Sequence, residues 1–187
     1  SLIEKIAQKY VIDPNEIGAL LKATAFKQVD QITNEQMDAL LIVCDQYDLN
    51  PFIGEVKAYQ DSRGGIIPVV GIDGWNRIAN SHPQFDGVEF VYSDTFVELD
   101  ESNVPCHTWI EAVVHRKDRS HPIRVKEYID ECYRVVKDPM TGYVMKTPWQ
   151  THPKRSLRHK AQIQGYRIGL SMVGIYDEDE AQRILAA

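Results

Sequence analysis

The 187-residue chain contains no run near the roughly 18 to 20 apolar residues that a membrane-spanning helix requires. No charged-then-apolar leader opens it, so a cytoplasmic setting is expected. Its three cysteines, Cys44, Cys106 and Cys132, are odd in number and widely spaced. That pattern fits neither a disulfide framework nor a zinc site, and small buried thiols are expected instead. No Gly-x-x-x-x-Gly-Lys-Ser/Thr segment occurs, which leaves a phosphate-cradling ATP loop unsupported. The most informative absence is of acids. Between Asp138 and Asp177 there is no Asp or Glu, yet Lys146, Lys154, Arg155, Arg158, Lys160 and Arg167 all fall there.

What is present suits a soluble globular chain, with 43% hydrophobic and 26% charged residues. The length allows one well-buried domain and is short for two. The net charge of −6 alone argues against a nucleic-acid partner, but its distribution does not. Residues 115–167 carry 13 Lys/Arg against 5 Asp/Glu, a local balance of +8, and the remainder carries −14. A basic stripe on an acidic body is the footprint of a polyanion binder, or else a solvated face.

Apolar periodicity predicts helices over 2–11 and 16–26, the second opened by Asp13-Pro14. Thr33-Asn34-Glu35-Gln36 reads as a cap before a helix that buries Met37, Leu40, Leu41 and Cys44, and Leu49-Asn50-Pro51 ends it. Residues 55–60 and 66–70 read as a hairpin across the Asp61–Gly65 turn. Asp73 is a plausible N-cap for a short helix at 75–81. Further strands are expected near 87–99, 107–116 and 123–128, and then a mixed segment over 129–150. A long helix should run from Thr151 or His152 to about Met172, with Pro153 in its first turn. A last short helix begins near Asp177. The expected fold class is α+β: a single domain over 1–187 with N-terminal helices, a small antiparallel sheet and the long basic helix packed on it.

At 100° per residue, Leu157, Ala161, Gly165, Ile168 and Met172 share one apolar sector of that helix, which should meet the sheet. Lys154 and Arg158 lie at its edge, Lys160 and Arg167 on another flank, and Arg155 and His159 in a third direction. The cations thus fan out over roughly 20 Å, with no carboxylate at i±4 to neutralise them. Phosphates along a strand would supply the missing charge. Trp75, Trp149, Tyr133, Tyr143 and Tyr166 invite base stacking, although the same rings equally fill a core. A rival reading is a metal-dependent nuclease, with Glu55-Val56-Lys57 as a Glu-x-Lys half-site and Asp45 or Asp48 as the upstream acid. That triplet is short enough to arise by chance. Asp177–Glu180 could also be drawn as a metal site, but a capped helix start explains it more simply. His152 and His159 lie on different sides of a helix and are poor partners for one metal.

Longer motifs add a resemblance. Thr24–Lys27, Leu40–Val43, Gln46–Pro51, Ile67–Trp75, His115–Ile123, Trp149–Arg155, Leu157–Ala161, Gly174–Asp177 and Asp179–Ala181 are collinear. Together they closely resemble the RecT/Redβ family of phage single-strand annealing proteins, from about residue 20 to the end. The resemblance implies ATP-independent binding of single-stranded DNA, annealing to a complement, and assembly into rings or helical filaments. It implies a binding protein rather than an enzyme, with no cofactor, working in the cytoplasm of a bacterial host beside a 5′→3′ exonuclease. It points to Lys117, Lys154, Lys160 and Arg167 as the DNA groove, with Lys27, Arg134 and Arg155 as weaker carry-overs. Arg158 and Trp149 join the candidates from the charge pattern and the aromatic reading. Gly54 stands where the family has a lysine, and residues 137–146 depart from its pattern. Family members also continue into a C-terminal region that engages partners, which is expected to lie outside these residues.

Overall fold

The computed structural model describes residues 1–28 and 30–187. The chain is α+β and packs as two compact units, one of residues 1–78 with 173–187 and one of residues 79–172.

In the first unit, α1 (Leu2–Tyr10) starts in a capping box between Ser1 and Glu4. A 3-10 turn capped by Asp13 leads into α2 (Ile17–Thr24), and β1 (Phe26–Lys27) follows. The Thr33–Gln36 capping box opens α3 (Asn34–Tyr47), as the sequence predicts, satisfying two otherwise orphaned N–H groups. The helix stops at Asp48, which takes a left-handed conformation (φ 53°), before the proline is reached. Leu40, Leu41 and Cys44 are buried and Met37 is half-buried. Strands β2 (Val56–Gln60) and β3 (Ile66–Val70) form the expected antiparallel hairpin, with β1 added in parallel beside β2. Then α4 (Ile72–Ser81) begins. Asp73 therefore sits inside its first turn rather than capping it, where its carboxylate still complements the positive helix end.

The second unit holds a separate antiparallel sheet, so the strands expected in one small sheet are divided between two. Its order is β4 (Phe85–Tyr92), β7 (Trp109–Arg116), β8 (Ile123–Tyr128). A two-stranded ribbon of β5 (Phe96–Val97) and β6 (Cys106–His107) extends from it. After α5 (Ile129–Cys132), β9 (Val136–Lys137) and β10 (Val144–Met145) make a small hairpin. Thr147 and Gln150 cap α6 (Pro148–Thr151), and α7 (Pro153–Gly169) follows directly. The unit's core joins Cys106, Ile110, Ala112, Ile129, Cys132, Trp149, Leu157 and Ala161.

In the first unit the chain ends in α8 (Glu178–Ala186), opened by a capping box between Asp177 and Glu180. The acidic run is thus a helix start. Tyr176 exchanges backbone hydrogen bonds with Pro68 and Val70, and Ala181 packs with Tyr59, Ile67 and Val69. No helix of the described residues is long and apolar enough to cross a membrane.

Candidate nucleic-acid interface

Helix α7 lies on β7 and β8 at close range because its last two contact positions, Gly165 and Gly169, carry no side chain. Leu157, Ala161, Gly165 and Gly169 recur every four residues, and all are buried. A Cβ built on Gly165 would stand 3.0 Å from Val114 Cγ2 and 3.2 Å from Ala112 Cβ. One on Gly169 would stand 3.1 Å from Val114 Cγ1. The seam therefore ends on Gly169, and Ile168, which the periodicity assigns to it, is 61% exposed. The physical reason is the repeat itself. A step of four drifts by 40° per turn, so the line of contact moves off Ile168 onto its neighbour. The helix also ends at Gly169 rather than near Met172.

This seating sorts the cations. Lys154, Arg155 and Arg158 lie in the first two turns and point away from the seam. Lys154 and Arg155 are exposed, and Arg158 is half-buried. None of the three forms an ion pair among the described residues. No acid occupies the first turn, and the N-cap His152 makes no side-chain capping bond. Cations at a helix N-terminus meet the positive end of the macrodipole, the least favourable place for them. Lys154 and Arg158 add an i,i+4 like-charge pair. The arrangement costs stability, and an anion bound there would relieve it.

Lys160, expected on an open flank, is only 8% exposed. Its flank is covered because α7 is buried over most of its circumference, with Gln162, Ile163 and Tyr166 inside as well. Arg167, on the same flank, is half-buried. Lys117 is exposed in the turn between β7 and β8. That turn is anchored to the far end of α7 by Arg116, whose guanidinium donates to the Gly169 carbonyl at 2.8 Å and grips both oxygens of Asp118. This grip holds the Asp118 carboxyl down at about 2. Lys117 and Lys154 thus mark opposite ends of a helix about 25 Å long.

Arg134 borders a cleft of about 400 Å³ lined also by Glu98, Asp100 and Asp130, and its backbone carbonyl accepts from Gln150 Nε2. Lys27 belongs to the first unit, where it pairs with Tyr59 across β1 and β2. Trp149 is corrected from a stacking residue to a core residue. It is 6% exposed and meets Tyr133 edge-to-face at 6.4 Å, leaving no face for a base. Trp75 is fully buried, with its indole N–H donating to the Val70 carbonyl. Tyr166 is buried too, which pushes its phenol up, whereas Tyr143 is 68% exposed beside the small hairpin.

The acids of the nuclease reading serve as structural partners. Glu55 Oε2 accepts from the Asn50 N–H at 2.7 Å and from Arg77 at 3.0 Å. Asp45 pairs with Lys5, and Asp48 with Lys9. The three cysteines are buried, and burial pushes the Cys44 thiol up to about 12.

The sequence reading missed one feature of the second unit, an exposed group of rings. Tyr92, Phe96 and His107 cluster beside the start of α7. They lie on three different strands and carry no periodic signal.

Fold and site together define an α+β protein that mounts an acid-free cationic helix on a sheet through glycine contacts. The RecT family model matches residues 14–186. The chain is also 46% identical over 174 residues to "Recombination protein bet" of Escherichia phage lambda, an alignment covering 93% of this chain and 61% of that protein. The chain belongs to the RecT family, and it spans about three-fifths of the length of this curated relative.

Proposed function

We propose that this chain binds single-stranded DNA through its phosphates and anneals it to a complementary strand, without ATP, in phage-type homologous recombination. The observation that carries this reading is the cation-loaded, acid-free N-terminal half of α7. Lys154, Arg155 and Arg158 would form the first contact, with Arg167, Lys160 and Lys117 continuing along the helix and Arg134 contributing from the same unit; Lys27, in the first unit, is a separate candidate contact. Contacts of this kind position a strand without reading its sequence, so little sequence preference is expected. Pairing of complements runs downhill by itself. The protein's part is to neutralise and extend one strand while its base edges stay open to a second. Assembly of many copies into a ring or filament would string such helices along one strand. A cognate 5′→3′ exonuclease would supply the strand, engaged through a region outside these residues.

The test mixes the protein with labelled complementary oligonucleotides in the absence of ATP. Faster pairing of intact strands is expected. Shortened strands would instead point to a nuclease, and unchanged pairing with no binding would leave a scaffold.

A further inference from the structure

Phe96 and His107 face each other across β5 and β6, with ring centroids 4.4 Å apart and planes at 38°. Tyr92, at the end of β4, lies 5.1 Å from the same imidazole at 44°. Both larger rings lie against the imidazole and are open, with Phe96 54% and Tyr92 40% exposed. The Lys154 ammonium stands 6.0 Å from the Phe96 centroid. Tyr92 pairs with Ile110 on the face of the sheet that meets α7, so the rings continue that face beyond the helix start.

The row is held rigidly. His107 Nδ1 donates to the Ser93 carbonyl at 2.8 Å, a carbonyl oxygen being able only to accept. The buried Ser93 hydroxyl accepts from the Thr108 N–H at 2.9 Å and donates to the Thr95 carbonyl at 2.9 Å. The Thr95 and Thr108 hydroxyls meet at 2.6 Å. Rings ordered before binding lose little freedom when they bind.

We propose that Phe96, His107 and Tyr92 form a stacking platform for one unpaired nucleobase, whose phosphate is taken by Lys154. A nucleotide joins a flat aromatic face to an anion across one sugar, and the Lys154 ammonium, which stands over the Phe96 ring, would move from the ring onto that anion as the base stacks. Stacking on aromatics is indifferent to sequence, since every base has a π-face. It does discriminate by strandedness, because inside a duplex both faces of a base are covered by its stacked neighbours. Asp94 and Glu98 flank Phe96 in the chain and are exposed, which disfavours phosphates along β5 itself and leaves the base as the part of the strand that docks there. Ser93 acts as a positioning residue for the row. The inference deepens the proposed function and rests on it.

The experiment uses the whole chain and two labelled strands of equal length, oligothymidine and the same strand carrying a run of abasic sites. Phe96→Leu keeps apolar bulk but removes the stacking face, and Phe96→Trp keeps both. The leucine variant should bind oligothymidine about tenfold more weakly, with its salt slope and its affinity for the abasic strand unchanged. The tryptophan variant should bind like the parent, with its added emission quenched by the strand. Equal oligothymidine affinity in the parent and the leucine variant overturns the platform, as do equal losses on both strands. A change in sedimentation without a change in DNA affinity assigns the rings to contacts between copies, and also overturns it. Failure of the parent to bind either strand overturns the DNA-binding reading itself, an outcome distinct from loss of the platform alone.

Discussion

Replacing Lys154, Arg155 and Arg158 together by glutamine should weaken DNA binding and strengthen the fold. Each of these side chains is exposed or half-buried, so little packing is lost. Lys154 and Arg155 occupy the second and third positions of α7, where a cation at the positive helix end costs about 0.3–1 kcal/mol at low salt. Relief of the Lys154–Arg158 repulsion adds about 0.2–0.5 kcal/mol. Glutamine has nearly the same helix propensity as lysine and arginine, so that term cancels. The sum is about 1–2 kcal/mol of added stability at low ionic strength, shrinking as salt screens the charges. In thermal unfolding that is a midpoint higher by about 3–6 °C. On single strands each lost phosphate contact removes about 0.7 from the slope of log affinity against log salt, so the triple variant should lose about 2. Fluorescence anisotropy across a salt series and urea unfolding of the same samples measure both effects. A variant that is less stable and keeps its salt slope would refute the reasoning, because the three charges would then be serving the fold rather than a ligand.

Gly165→Val should destabilise the protein by about 1–3 kcal/mol, because the seam admits no Cβ branch beside Val114. Pairing it with Val114→Ala should recover much of the loss in urea titrations, and no recovery would show that the contact is not the cause. The Asp118 carboxyl should titrate near 2 by NMR, and Arg116→Gln should return it towards the ordinary carboxylate range. Its folded-state value is depressed, so the stability it contributes is present above about pH 4 and is lost as pH falls towards 2. Native Cys44 should resist a thiol reagent at pH 8 and react once urea unfolds the chain. Its raised value makes the folded state hold a proton that the unfolded state releases, so its contribution falls as pH rises above about 9.

Local chemistry made most elements legible from the sequence alone. Thr33 with Gln36, Asp13 before Pro14, and Asp177 with Glu180 each satisfy orphan backbone groups of their own helix, so they act wherever the helix is placed. The Asp61–Gly65 turn likewise dictates the hairpin of β2 and β3, and the acid-free stretch after Asp138 identifies the cationic helix without any fold. Tertiary structure decided what those elements face. It divided the strands among separate sheets, because pairing depends on contacts distant in the chain. It moved the seam of α7 from Ile168 to Gly169, buried Lys160 and Trp149, and left Lys154, Arg155 and Arg158 outside. It also gathered Tyr92, Phe96 and His107 beside Lys154. A helical period states which residues share a face, but only the partner packed against that face determines how far its burial spreads. Side chains from four separate segments meet through strand register, which no local pattern encodes.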